Sequence, residues 1–320
     1  AGRVPTMGIN EHYYRAIESF LSCDIRSELY RTDATALAAF YLAAKADDLL
    51  DKINWAYVAG NTSEVPAFER QFLNLLAEAD CLLESHPVFR LQRWVDLAER
   101  AGQSPEERDR FTGELRRLVT VWGGPHLSDY SARVWSGLIR DYYLPRWEYY
   151  FIAKRTGGAF DFKHHDEWYH LARGISHVTP HHDPLASARR LVEHASGISS
   201  ANDYRPADAV AFISPFEHLY ERTRLTFSVR NADYRRAKAV RFRCTRGTET
   251  ATIGSILFRG HRENLSSYEV NRTIAAGEVV EVPVGDKRVH DALPQEVTLQ
   301  IEVRGHRALD NYISVELVWE

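Results

Sequence analysis

Apolar positions along the first two thirds of the chain recur at intervals of three and four. Along the last third they recur at intervals of two, so the pattern predicts helices followed by strands. Leu42, Ala46, Leu49, Ile53 and Tyr57 fall on one face of a helix running toward Gly60, with Thr32 or Asp33 as its cap. Leu37, Phe40 and Tyr41 widen that face, which predicts a central, largely buried helix. A second helix carries Phe68, Phe72, Leu75, Ala79, Leu82 and Leu83 on one stripe, with Glu69, Arg70, Asn74 and Glu78 off it. Pro87 suits a first helical position, with Leu91, Trp94, Val95 and Ala98 inward and Gly102 as a stop. Ser104, Pro105, Glu106 and Glu107 read as a capping box that opens a helix to about Thr120.

Trp122, Gly123, Gly124 and Pro125 break that helix, because two glycines and a proline cannot hold a regular turn together. Ser128 or Asp129 can cap a long aromatic helix with Val134, Trp135, Leu138, Ile139, Tyr142 and Tyr143 inward, which Pro145 kinks or ends. Shorter helices are expected at about 166–176 and 184–195. Past Gly197 the chain turns polar, and after about Pro215 strict alternation sets in. Leu225, Phe227 and Val229 form one such run and Val240, Phe242 and Cys244 another. Val297 to Val303 and Ile313 to Trp319 follow the same rule, with Trp319 continuing an inward series. About a hundred residues of short strands without helices between them predict an antiparallel sandwich or barrel. The expected fold is an all-α domain over residues 1–200 followed by an antiparallel β-sandwich over 215–320. This order excludes a TIM barrel or a Rossmann unit within the stretch, since both alternate strand and helix.

Composition narrows the function classes without naming one. A chain of 320 residues holds two cores, because single cores stop growing near about 250 residues. No run approaches the ~18 uninterrupted apolar residues of a membrane helix, so no membrane span is expected. A net charge of -4 argues against a whole-chain nucleic-acid binder. Cys23, Cys81 and Cys244 are too few and too scattered for a disulfide framework or a metal-binding CxxC pair. The first residues, Ala1 to Thr6, lack the basic start and apolar run of a signal peptide.

One segment carries a specific resemblance. It runs from Thr120-Val121-Trp122-Gly123-Gly124-Pro125 through Asp129-Tyr130-Ser131 and Gly137-Leu138 to Asp141-Tyr142-Tyr143-Leu144-Pro145-Arg146-Trp147. This run resembles the C-terminal helical domain of family 89 glycoside hydrolases, the α-N-acetylglucosaminidases, in order and spacing. Weaker likeness extends it to roughly residues 25–198, and the sandwich stands outside it as an accessory domain.

The resemblance implies a retaining hydrolysis of terminal α-linked N-acetylglucosamine. Its nucleophile and acid/base would stand roughly 5 Å apart, on strands of an upstream catalytic barrel that this stretch does not contain. No catalytic residue is therefore expected in this chain, and the chain alone is expected to be inactive. The resemblance gives Trp122, Leu127 and Tyr130 as residues lining the sugar pocket. An indole plane stacks on the C–H face of a pyranose, and a phenol supplies a hydroxyl for a sugar oxygen. The implied partners are an N-acetylglucosamine-containing glycan and the barrel, in the same or a separate chain. No cofactor is implied, and a secreted, periplasmic or lysosome-like location would follow. A non-catalytic carbohydrate-binding or scaffold module is the alternative.

Other patterns read as structural. Asp47 with Asp48 belongs to a helix, and Glu106 with Glu107 to a capping box. His164, His165, His170, His177, His181 and His182 match no metal-ligand spacing, so no metal is expected. Between Arg222 and Arg246 nine Lys or Arg residues stand against Asp233, the default being a solvated face, with steering of an anionic glycan as the other reading. Asn61, Asn264 and Asn271 begin N-x-[ST] sequons.

Overall fold

The computed structural model describes residues 11–122, 133–157, 167, 174–213, 223–248, 250–289, 293–304 and 311–319. Helices occupy the first part and two antiparallel sheets the last, as the change of period requires. Two compact units result. One joins residues 10–49 and 69–199; the other contains residues 50–68 with 200–320.

Helix α1 (Glu11–Leu21) leads to the long α2 (Glu28–Ala59), which the division crosses at Leu49 and Leu50. The start of α2 lies ahead of the expected Thr32 or Asp33, because Ser27 Oγ accepts the Tyr30 N–H at 3.1 Å and caps the helix there. Thr32 instead turns its hydroxyl back onto the Glu28 carbonyl at 3.0 Å. From Tyr41 to Val58 almost every side chain is buried or half-buried, so α2 is the central helix that its width of apolar positions predicts. Phe40 departs from the expectation and is 46% exposed.

Helix α3 (Val65–Leu83) buries Phe72, Leu75, Ala79, Leu82 and Leu83 as the stripe predicts. Glu69, expected off the stripe, is also buried, and the reason is an ion pair with Arg155. A single 3-10 turn (Pro87–Phe89) precedes α4 (Leu91–Ala101), which ends at Gly102. Helix α5 (Pro105–Val119) opens on Ser104, whose hydroxyl accepts the Glu107 N–H.

Ser128 and Asp129 lie outside the described residues. Residues 133–135 are not helical, and the aromatic helix begins only at Leu138. Its first stretch is a π turn (Ile139–Tyr143), continued without interruption by α6 (Leu144–Thr156). Pro145 therefore neither ends nor breaks the helix. Leu144 N donates to Ile139 O, five residues back, and the widened turn absorbs the proline that cannot donate a bond of its own. Residues 174–180 carry no regular secondary structure, so the expected helix does not hold to 176, and α7 (Pro184–Ser196) follows with Asp183 as its cap.

The sandwich has strands β1 (Ala209–Ile213), β2 (Thr223–Arg230), β3 (Ala239–Arg246), β4 (Ala251–Arg259), β5 (Asn264–Ile274), β6 (Val279–Pro283), β7 (Glu296–Arg304) and β8 (Tyr312–Val318). Their sheet orders are β1-β8-β3-β6 and β2-β7-β4-β5, with every pair antiparallel. Leu225, Phe227, Val240, Phe242, Phe258, Leu299, Ile301 and Val315 interdigitate in one core. A helix does intervene, contrary to expectation: α8 (Asn231–Arg236) joins β2 to β3. Lys287 Nζ closes its end by donating to the carbonyls of Tyr234, Arg235 and Ala237.

The last turns of α2 belong to this unit and pack on the strands. Trp55 meets Phe212 edge-on with centroids 4.7 Å apart, and Tyr57 stacks on Tyr312 at 4.7 Å. β8 is buried on both faces, with Tyr57 against Tyr312 on one and Glu316 paired with Arg241 and Arg243. No helix among the described residues is long and apolar enough to cross a membrane.

Candidate functional site

Trp122 lies just past the end of α5. Thr120 N donates to Arg117 O at 3.2 Å, and Trp122 N reaches the same carbonyl at 2.8 Å. These bonds close the helix by turning Trp122 into the left-handed region, at φ 49°. For a residue with a Cβ that conformation costs on the order of 1–2 kcal/mol. Trp122 is nonetheless 41% exposed as a residue, so part of it reaches the surface. Leu127 and Tyr130, the other two residues expected to line a pocket, lie outside the described residues.

The chain is described again from Arg133, and a polar clamp holds it there. Asp80, on α3, has a side chain only 3% exposed and receives four donors. Gly137 N donates at 2.8 Å, Arg140 N at 3.2 Å and Arg140 Nε at 3.0 Å, and Arg140 Nη2 completes the pair. Just past the end of α3, Glu84 accepts the Ser136 hydroxyl. Arg90 Nε donates to the Glu84 carbonyl at 2.7 Å. The backbone of Ser136 is tied as well, its N–H to Phe89 O at 2.9 Å and its carbonyl to Leu91 N at 3.0 Å. Trp135 stacks on Trp94, with centroids 5.4 Å apart and planes within 11°.

Burial pushes the Asp80 carboxyl above its ordinary value, against the opposing pull of Arg140 and the N–H donors. Sequence reasoning missed this clamp. Its visible traces were two carboxylates at i and i+4 around the end of α3, and an arginine within the aromatic run.

The remaining candidates settle into structural roles. Asp48 accepts the Tyr14 hydroxyl at 2.8 Å, and burial followed by the Asp48 charge raises that phenol's pKa. Glu107 completes its cap by accepting the Gln103 N–H at 2.9 Å. Arg241 binds Glu281 at 2.8 Å and Glu316 at 3.6 Å, and Arg243 binds Glu316 at 3.3 Å, so acids on neighbouring strands pair with these two arginines of the basic segment. Trp319 is half-buried, with Arg236 over its ring. Asn61, Asn264 and Asn271 are all exposed.

His164, His165 and His170 lie outside the described residues. Among the described residues no group of three or more His, Cys, Asp or Glu side chains is placed to hold a metal ion. His181 and His194, with Glu78, Cys81 and Arg190, line a groove of about 640 Å³ between α3 and α7. Among the described residues, Trp122 does not line that groove.

Comparison with known proteins identifies the helical part. A family model described as the alpha-N-acetylglucosaminidase (NAGLU) C-terminal domain matches residues 9–194. The α-N-acetylglucosaminidase of Homo sapiens is 34% identical over 80 residues, 25% of this chain and 11% of that protein. A family 89 glycoside hydrolase from Clostridium perfringens in complex with PUGNAc is 26% identical, with a TM-score of 0.50 over 59% of this chain and 24% of its own. The same coverage, identity and TM-score hold for a substituted form of a Clostridium perfringens enzyme in complex with its substrate GlcNAc-alpha-1,4-galactose. This chain thus spans about a quarter of the length of those solved chains and about a tenth of the human protein.

Proposed function

Because the chain belongs to the α-N-acetylglucosaminidase C-terminal domain family, we propose that it serves a glycoside hydrolase acting on terminal α-linked N-acetylglucosamine. Its helical part contributes Trp122, Leu127 and Tyr130 to the wall of the sugar pocket. The attacking carboxylate and the acid/base come from a barrel outside this sequence.

The observation that carries this reading is the presentation of Trp122. Left-handed non-glycine residues cost about 1–3 kcal/mol and cluster where function demands the geometry. Here one sits at the specific point of the family run, on a residue that is 41% exposed. Stacking on a pyranose needs an aromatic plane held in a fixed geometry. The paired carboxylates Asp47 with Asp48 and Glu106 with Glu107 serve helix contacts and a cap. Retaining chemistry requires two carboxylates roughly 5 Å apart with the sugar between them, which accords with a separate catalytic unit.

The test is hydrolysis of an aryl α-N-acetylglucosaminide by this chain alone and by the complete polypeptide that carries it. The chain alone is expected to be inactive. Trp122→Ala in the complete polypeptide is expected to raise KM about tenfold to a hundredfold, as loss of a few kcal/mol of binding would, while the fold persists. Unchanged kinetics would remove Trp122 from the pocket. Binding of N-acetylglucosaminides by a chain with no associated barrel would favour a free-standing binding module.

A further inference from the structure

We propose that Asp80, Arg140, Glu84 and Ser136 form a positioning element that sets the orientation of Trp122 toward a bound N-acetylglucosaminide; the inference rests on the pocket reading of Trp122. None of the four is offered as touching the sugar. They act through the packing between the clamp and the end of α5.

The mechanical route is short. Asp80, in the last turn of α3, and Glu84, just past its end, bind Gly137, Arg140 and Ser136. Ser136 is bonded through its backbone to Phe89 and Leu91, so the clamp also fixes the entry to α4. Leu138, next after Gly137, shares one core cluster with Leu91, Val95, Val119 and Tyr142. Val119 is the last residue of α5, and Trp122 follows three residues later. Packed cores transmit displacements because they contain no slack. A shift of Ser136 and Gly137 therefore reaches the turn that aims the indole.

The energetics favour a geometric role over a stabilising one. Two charges taken out of water lose several kcal/mol of hydration each, and a buried pair seldom recovers more than it loses. The raised pKa of Asp80 says the same of this pair, since its environment disfavours the charged form despite four donors. What such a pair supplies is direction: Arg140 offers a planar fork, and the two Gly137 and Arg140 backbone N–H groups fix the acid's other oxygen.

The experiment is a double-mutant cycle in the complete polypeptide, combining Asp80→Asn or Ser136→Ala with Trp122→Ala. Kinetics on an aryl α-N-acetylglucosaminide and thermal unfolding are measured on the same samples. Each clamp variant is expected to raise KM by about threefold to tenfold with kcat nearly unchanged, and to add little once Trp122 is already alanine, the signature of coupled residues. A merely structural role would lower Tm and leave KM alone, or would add its full effect to that of Trp122→Ala. Either result overturns the inference while leaving the pocket reading intact. If Trp122→Ala alone has no effect, the pocket reading falls first and this inference with it. Should Asp80→Asn fail to fold, Ser136→Ala, which removes one hydroxyl, carries the test.

Discussion

The carboxylate of Asp80 on α3 receives the amide N–H of Gly137 at 2.8 Å, across 57 residues of chain. Gly137 can make that contact because it adopts φ +84°, and because an added Cβ would lie 2.8 Å from Ile175 Cγ2 and 3.6 Å from Leu91 Cβ. Gly137→Ala is therefore expected to destabilise the chain by about 2–4 kcal/mol, combining the left-handed penalty with overpacking. The shift in urea midpoint gives the value. A loss under half a kcal/mol would mean that the turn tolerates a side chain.

Asp80 and Glu69 are both raised above the ordinary carboxylate range, burial being the leading cause for each. An acid whose folded value exceeds its unfolded one holds its proton more tightly when folded. Its contribution to stability is complete below the unfolded value and is lost as pH rises through the folded value. Wild type is therefore expected to be most favoured over Asp80→Asn in acid, with the advantage shrinking as pH rises above the ordinary aspartate range. Urea unfolding of both proteins across that rise measures it. An advantage that grows with pH would show that the pair with Arg140 outweighs burial.

Trp55 is 4% exposed and meets Phe212 of β1 edge-on at 4.7 Å. Trp55→Ala is expected to cost about 3–5 kcal/mol, the range for a large aromatic removed from a core. Near-UV circular dichroism followed through thermal unfolding would record it. A neutral result would detach the end of α2 from the sandwich unit.

Ser104 caps α5 through the Glu107 N–H at 3.2 Å, and Glu107 returns a bond to Gln103 N at 2.9 Å. Ser104→Ala is expected to lose about 1 kcal/mol and Ser104→Asp to keep most of it. Chemical denaturation distinguishes the two. Equal losses would mean that the hydroxyl does not cap.

Much of the fold was legible because it depends on local rules. The stripe Phe72, Leu75, Ala79 and Leu82, the box opened by Ser104, and the alternation through Phe227, Phe242 and Ile301 each follow from backbone period and orphan N–H groups alone. The polarity rule failed where charges were buried in pairs. Glu69 has the composition of a solvent-facing position, and its ion pair with Arg155, 86 residues away, makes its burial tolerable. β1, β4, β5 and β6 were not singled out, and α8 was unexpected, because short edge strands, bulged strands and a single helical turn carry little period.

The sequence by itself determined the helical and strand halves, the family to which residues 9–194 belong, and the tryptophan at the head of its most specific run. Those depend on residue type and spacing, which a linear chain records. Only the tertiary structure decided that the end of α2 joins the sandwich unit, that Pro145 is absorbed by a π turn, and that Asp80 holds Gly137 and Arg140. Contacts across 57 or more residues are chosen by packing and by the need to satisfy buried charge, and neither leaves a period in the sequence.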